Sequence, residues 1–301
     1  MMSTNKTLIY IAGPTGVGKT KVSIALAKKF NTEILSCDSR QFYKEMKIGT
    51  AVPSEDELTT VPHHFIQNKS IDTPYTVADF EKEALKKLDQ LFKKTNTVIM
   101  VGGSGMYADA VMFGLDQFPE VTDEVRNQLR LFYNTHGLNG LQELLREKDP
   151  KHYARIDRSN PVRLLRALEV CIASDQPYSS FLGQKKEPRN FIAKMVLLHR
   201  PRKLLYEKIN TRVDQMMANG LAEEVKKLIH YKALTPLQTV GYKELFRYYE
   251  DACSLEEAVN EIKKNSRRYA KRQITWFKKY ENALSFPADA PVTEIYELLK
   301  D

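Results

Sequence analysis

The sequence predicts an α/β fold: a P-loop-type parallel sheet flanked by helices, with a helical insertion domain set into it. Three observations carry this expectation. Short β-branched and apolar runs alternate with helical patterns, as in parallel strands joined by crossover helices. A glycine-rich octapeptide, GPTGVGKT at 13–20, lies between the first run and the first helical pattern. A long middle segment keeps helical spacing throughout and contains no strand-like run.

The first strand is expected at Leu8 to Ala12, and Val22 to Phe30 follows as a helix. A second strand falls at Glu33 to Ser36. Val77 to Phe92 repeats apolar residues at three- and four-residue steps, the stripe of a helix packed on a sheet face, and leads to a third strand at Val98 to Val101. Leu138, Leu141, Leu144 and Leu145, then Leu164, Leu165 and Leu168, mark helices in the middle segment. A fourth strand is expected at Ile192 to Leu198, and the chain then reads as helical to its end, broken at Pro201, Pro236, Pro287 and Pro291. The expected division is a core of residues 1–117 and 190–301 and an insertion of residues 118–189.

A chain of 301 residues can bury a substantial core, and 42% hydrophobic with 28% charged residues is an ordinary globular balance. No run approaches the roughly 18 apolar residues of a membrane span, and the N-terminal apolar segment enters the glycine motif without a cleavage site. No membrane association is expected. Cys37, Cys171 and Cys253 match no disulfide or metal framework, which points to the reducing cytosol and a cytoplasmic protein. A net charge of +8 favours a polyanionic partner.

Gly13, Pro14, Thr15, Gly16, Val17, Gly18, Lys19 and Thr20 fit the phosphate-loop pattern, whose glycines let backbone amides turn inward around phosphate oxygens. Lys19 would neutralise the terminal phosphate, and the Thr20 hydroxyl would serve a magnesium ion. The helix beginning there turns its positive end toward the anion. On its own the loop would suit ATP. Asp38 follows the second strand and Gly102-Gly103-Ser104-Gly105 follows the third, so all three motifs reach the carboxyl edge of a parallel sheet, where such folds bind ligands. Asp38 would hold magnesium, accept a proton or cap a helix. Ser104 would reach a phosphate oxygen, or the glycines would merely permit a turn. TVIMVGG ends in glycine, where a nucleotide-hydrolysing P-loop protein usually carries its magnesium aspartate.

From Lys263 to Lys279 there are eight basic residues and no acid. Lys263, Arg267 and Lys271 form one i+4 row, and Lys264, Arg268 and Arg272 form the next. Crowded cations favour a phosphate backbone, and Tyr269, Trp276 and Phe277 would stack on bases or pack inward. Ile262, Ala270, Ile274 and Phe277 read as the buried stripe. Arg155, Arg158, Arg163 and Arg166 suit either a kinase-like lid or an RNA clamp.

With these residues assembled, the sequence resembles the tRNA dimethylallyltransferase (tRNA isopentenyltransferase, IPP transferase) family, bacterial type, over nearly its whole length. GPTGVGKT, DSRQFY at 38–43, VPHHF at 61–65, GGSGMY at 102–107, NPVRLLRALEV at 160–170, TVGYKE at 239–244 and KRQITWF at 271–277 carry the likeness. The resemblance implies transfer of a dimethylallyl group from dimethylallyl diphosphate to the exocyclic amine of the adenosine 3′ of the anticodon, in tRNAs reading codons that begin with U. Mg2+ is the implied cofactor, with Thr20 as its protein ligand. By the same likeness Ser104 and Arg212 join Lys19 and Thr20 in the diphosphate clamp, and Asp38 is the base. Asp38, Ser39, Arg40, Gln41 and Ser104 would meet the flipped adenosine of the anticodon stem-loop. Arg126, Val162, Arg163, Arg166, Lys271, Arg272, Gln273 and Trp276 match tRNA-contacting regions. A monomer is expected.

Three rivals share part of this pattern. A nucleoside or nucleotide kinase leaves the basic helix unexplained, and an adenylate prenyltransferase leaves the insert unexplained. An RNA-binding protein switched by a nucleotide would bind without forming product.

Overall fold

The structure is a computed structural model that describes residues 6–184 and 186–300. The chain divides into two units, Met1–Phe113 with Arg189–Asp301, and Gly114–Pro188.

In the first unit β1 (Thr7–Ala12), β2 (Ile34–Ser36), β3 (His63–His64), β4 (Thr97–Val101), β5 (Ile192–His199) and β6 (Leu284–Pro287) form one sheet. Its order is β3-β2-β4-β1-β5-β6 and every pairing is parallel. Side chains alternate across it. Leu8, Tyr10, Leu35, Val98 and Met100 enter one core, and Ile9, Ile11, Ile34, Ile99 and Val196 enter the other. With both faces covered, the central strands read as continuous apolar runs instead of alternating ones.

β3 and β6 depart from the four expected strands. Two residues are too few to show a period, and Leu284–Pro287 buries only Phe286 and ends in a proline. Proline cannot donate to a ladder, and this one is tolerated because β6 is an edge. The chain beyond β5 is therefore not wholly helical.

The helices are α1 (Lys19–Phe30), α2 (Glu55–Thr60), α3 (Val77–Leu91), α4 (Gly105–Phe113), α5 (Asp123–Lys148), α6 (Pro150–Tyr153), α7 (Pro161–Ser174), α8 (Arg202–Ala218), α9 (Leu221–Lys227), α10 (Tyr242–Tyr249), α11 (Leu255–Phe277) and α12 (Val292–Leu299). The apolar stripe of α3 buries Phe80, Ala84, Leu88 and Leu91, and a Thr76–Asp79 capping box fixes its start. A Ser254–Glu257 box likewise starts α11, which buries Ala258, Ile262, Ala270, Gln273 and Phe277. Ile274, expected in that stripe, is 39% exposed, while the polar Gln273 lies in it.

The second unit holds α5, broken at Gly137 (φ 64°), with α6 and α7. Leu129, Leu141, Leu145, Leu164, Leu168 and Cys171 form its core. The buried Asp149 carboxylate accepts from His152 N (2.9 Å), Ser179 N (2.6 Å) and Ser179 Oγ (2.9 Å), tying the segment after α7 to the start of α6. Buried carboxylates persist when hydrogen-bonded in this way.

Candidate active site

β2, β4 and β1 are neighbours in the sheet, so the segments that follow them emerge side by side at its carboxyl edge. Lys19 and Thr20 after β1, Asp38 after β2 and Gly102 after β4 all line one cavity of about 1420 Å³. Arg212 from α8 and Tyr269 from α11 close it from the helical side. The whole lining belongs to the first unit.

The phosphate loop starts at Gly13, where φ is 149° and a Cβ would lie 2.8 Å from the Leu198 carbonyl oxygen. Only glycine lets the loop turn this tightly over β5. α1 begins after Gly18, with no side-chain cap and no acid in its first turn, which leaves its N-terminal amides and dipole to an anion. Lys19 Nζ donates to the carbonyls of Gly13 (2.9 Å) and Pro14 (3.0 Å). Burial pushes this ammonium down to about 8, Asp38 opposes the shift and Arg212 reinforces it. Arg212 Nη1 donates to Thr15 Oγ1 at 3.4 Å, and burial lowers its guanidinium pKa against the pull of Asp38. Two desolvated cations and one carboxylate thus share a neighbourhood, the arrangement that marks a site for charge-developing chemistry.

Asp38 sits in a turn, not at a helix start, so the capping alternative takes the form of a turn cap: Oδ1 accepts from Arg40 N at 3.1 Å. Its Oδ2 has no hydrogen-bond partner among the described residues. Ser104 Oγ accepts from Ser39 N at 3.0 Å and lies 3.0 Å from Ser39 Oγ, which joins the β2 and β4 loops through hydroxyls. Tyr269 hydrogen-bonds Ser104, and burial followed by the Asp38 charge pushes its phenol up to about 12. Of the two roles open to Tyr269 in the sequence, stacking on bases or packing inward, the structure shows the inward one, with a hydroxyl contact to Ser104. The signal for it was its i+4 spacing from Gln273, which puts both on one face of α11.

Gln273, expected among the tRNA contacts, is 5% exposed and lines the cavity. Its Oε1 accepts from Thr15 N (2.8 Å) and its Nε2 donates to the Gly103 carbonyl (2.9 Å), bridging the phosphate loop to the β4 loop. A Cβ on Gly103 would collide with that amide, and one on Gly105 would collide with the Trp276 indole. Gly103 and Gly105 of the GGSG motif are glycines because α11 lies against them. Neither Gly102 nor Gly103 needs a positive φ. Gln41, expected at the adenosine, donates from Nε2 to the carbonyls of Thr50 (3.2 Å) and Ala51 (2.9 Å) and so braces a loop on the cavity rim.

Two of the six cations in the basic rows are paired with carboxylates. Lys263 pairs with Asp214 of α8 at 2.6 Å, and Arg267 donates to Asn210 at 2.6 Å. In the second row Lys264 pairs with Glu261 at 2.7 Å and Arg272 lies 5.7 Å over the Tyr269 ring. Lys271 and Arg272 are exposed, and Trp276 is 40% exposed beneath the Lys279 ammonium. In the second unit Val162 is 72% exposed, Arg163 is exposed, Arg126 pairs with Asp123 and Arg166 with Glu169. His63 Nδ1 meets the Val61 carbonyl (2.7 Å) and His64 Nε2 meets Glu33 (2.6 Å), which accounts for the VPHHF histidines structurally. Among the described residues no group of three His, Cys, Asp or Glu side chains could hold a metal ion alone.

The IPP transferase family model matches residues 41–280. The chain is 51% identical over 298 residues to the tRNA dimethylallyltransferase of Flavobacterium psychrophilum, covering 97% of each. To that of Christiangramia forsetii it is 50% identical over 293 residues, again covering 97% of each. Among solved structures it is similar to the tRNA isopentenylpyrophosphate transferase of Bacillus halodurans, at 36% identity and a TM-score of 0.72, with 98% of this chain and 96% of that chain covered. It is also similar to a eukaryotic dimethylallyltransferase solved acting on tRNA, at 26% identity and a TM-score of 0.81, with 95% of this chain and 74% of that chain covered.

Proposed function

The chain belongs to the IPP transferase family, and on that premise we propose that it transfers a dimethylallyl group from dimethylallyl diphosphate to the exocyclic amine of the adenosine 3′ of the anticodon, in tRNAs reading codons that begin with U. The observation that carries this reading is the juxtaposition of an anion-binding loop with a carboxylate of uncommitted Oδ2, on one cavity, with no acid following β4. The loop amides, Lys19 and Arg212 hold the diphosphate, and Ser104 adds a hydroxyl.

The adenosine nitrogen forms a bond to the allylic carbon as the carbon–oxygen bond breaks. The electron pair of that bond leaves on the diphosphate, and the amine proton passes to Asp38. Lys19 and Arg212 stabilise negative charge that grows during cleavage, so they act more strongly on the transition state than on the bound substrate. An adenine amine is a weak nucleophile, and holding it beside the allylic carbon supplies much of the rate.

Magnesium fits this donor set as an ion shared with substrate: the Thr20 hydroxyl is a hard oxygen ligand at the cavity, and the remaining ligands would be diphosphate oxygens and water. When bound, it would neutralise charge on the departing diphosphate. Arg40, Lys271, Arg272 and Trp276 are the first unit's contacts to the anticodon stem-loop, and Arg126, Val162, Arg163 and Arg166 are those of the insertion unit. The protein acts as a monomer in the cytoplasm, the compartment being supported by the free cysteines Cys37, Cys171 and Cys253. No helix among the described residues is long and apolar enough to cross a membrane.

Incubation with Mg2+, dimethylallyl diphosphate and an anticodon stem-loop is expected to add one prenyl group to the adenosine 3′ of the anticodon, read by mass spectrometry of the digested RNA. No added mass, together with phosphoryl transfer from ATP, would establish the kinase alternative instead.

A further inference from the structure

Glu224 of α9 stands outside every motif singled out in the sequence, yet among the described residues of the first unit it makes the densest set of hydrogen bonds of any carboxylate. Its Oε2 accepts from Lys47 N (3.0 Å) and Ile48 N (2.7 Å), and its Oε1 accepts from Gly49 N (3.0 Å) and the Tyr242 hydroxyl (2.7 Å). Three consecutive backbone amides converging on one carboxylate form an anion nest filled by a side chain from a distant part of the chain. Tyr242 completes the joint. A Cβ on Gly49 would stand 2.6–2.8 Å from the Tyr242 ring atoms, so only glycine lets the loop lie flat on the phenol.

The loop held in this way leads to the site. Gly49, Thr50 and Ala51 line the cavity, and Ala51 keeps a left-handed φ of 48°, a conformation that alanine adopts only when its surroundings impose it. The Thr50 and Ala51 carbonyls accept from the Gln41 carboxamide, and Gln41 N donates to the Asp38 carbonyl at 3.0 Å. Glu224 is thereby connected to the Asp38–Gln41 turn through two layers of hydrogen bonds, with the TVGYKE motif supplying the aromatic floor. A carboxylate that also touches α10 fixes where the opposite cavity wall, Thr239 to Glu244, stands relative to this loop.

We propose that Glu224, with Tyr242, is a positioning residue for the RNA acceptor: it sets the 47–51 loop, and through Gln41 the Asp38 turn, so that the adenosine side of the cavity is formed before RNA arrives. The diphosphate side is held separately, by Gln273 and the phosphate loop. This proposal rests on the reading of the cavity as a tRNA prenyltransferase site. Its signature is a division between the two substrates that a general loss of stability would not produce.

The test compares the parent protein with Glu224→Gln and Tyr242→Phe, which preserve volume. Amide hydrogen exchange at 47–49, affinity for a fluorescent anticodon stem-loop and affinity for dimethylallyl diphosphate with Mg2+ are measured on each. For Glu224→Gln the 47–49 amides are expected to exchange faster and RNA binding to weaken by about tenfold or more, the scale of losing charge-assisted hydrogen bonds. Diphosphate binding should stay within about twofold of the parent on the same scale. Tyr242→Phe should shift RNA binding in the same direction by less. Faster exchange with RNA affinity unchanged would overturn the proposal, and so would parallel losses of both ligands. The binding measurements need no turnover: a parent that binds RNA and responds to Glu224→Gln but transfers no prenyl group would count against the proposed reaction and for the positioning role.

Discussion

Replacing Gln273 by alanine removes the carboxamide that joins the phosphate loop to the turn after β4. Two hydrogen bonds disappear, from Thr15 N at 2.8 Å and to the Gly103 carbonyl at 2.9 Å. At about 1 kcal/mol each, with roughly 1 kcal/mol more for leaving an amide and a carbonyl unsatisfied in a buried slot, the loss is about 3 kcal/mol. For a chain of this size that corresponds to a fall in Tm of roughly 5 °C. The Thr15 amide belongs to the phosphate loop, so the KM for dimethylallyl diphosphate should rise about tenfold, the scale of one misplaced contact. Affinity for the anticodon stem-loop should change by less than about twofold, because the carboxamide is 5% exposed and both its ends are bonded within the protein. Differential scanning fluorimetry and steady-state kinetics with each substrate varied in turn give all three numbers. A Tm unchanged within a degree or two, with RNA binding as the property lost, would refute the bridging role and return Gln273 to the RNA-facing surface that its place in KRQITWF suggests.

Three other expectations follow from the same geometry. Lys19 is pushed down to about 8 from its ordinary 10.5, so kcat/KM for the diphosphate should fall as pH rises through about 8, and Lys19→Arg should remove that alkaline limb from the pH–rate profile. The unfolded chain holds this proton more tightly, so the stability contribution of Lys19 should rise with pH from about 8 toward 10.5, readable as Tm against pH once other titrations are matched by Lys19→Arg. Asp38→Asn should lower single-turnover rates by about 10²–10⁴-fold, the range of a lost general base, with RNA affinity nearly unchanged; full activity would remove Asp38 from that role. Changing Lys271 and Arg272 together to alanine should weaken RNA binding and reduce the slope of log K against log salt by about 1.4, two single-strand phosphate contacts, whereas Lys263→Ala should leave the slope alone because Asp214 already pairs with Lys263.

The basic helix shows where reading a sequence stops. Periodicity assigned the i+4 rows of α11 correctly as rows, but it carries no information on what α8 places opposite them, and Asp214 neutralises and Asn210 bonds two of the three residues of the first row. The same limit applies to Gln273 and Ile274. Adjacent on α11, they exchange the roles their polarity suggests, because the phosphate loop and Gly103 present a donor and an acceptor to one of them. The phosphate loop, Asp38 and GGSG were legible because their placement depends only on local strand–turn geometry and on the rule that parallel strands share a carboxyl edge. Glu224 was not legible, since its partners are backbone amides about 175 residues away, and amides leave no trace in the letters of a sequence.

The position after β4 explains why this phosphate loop serves cleavage of a carbon–oxygen bond. In a nucleotide-hydrolysing P-loop site the strand beside the loop usually ends in the magnesium aspartate. Here that strand is β4, neighbour of β1, and the residue that follows it is Gly102. A Cβ at Gly102 would lie 2.6 Å from Cys37 Sγ and 2.9 Å from Asp38 N, so the β2 loop occupies the space an acid there would need. The carboxylate is carried one strand further out, on Asp38, which lines the same cavity as the phosphate loop. Hydrogen bonds from Ser39 to Ser104 hold the two loops in that register. In the proposed reaction Asp38, in the turn after β2, takes the amine proton while Lys19 and Arg212 of the same cavity hold the leaving group. Gly102→Ala should therefore impair turnover by moving Asp38. A Gly102→Ala protein that folds normally and retains full kcat would show that the close approach of the β2 and β4 loops is not what places the base.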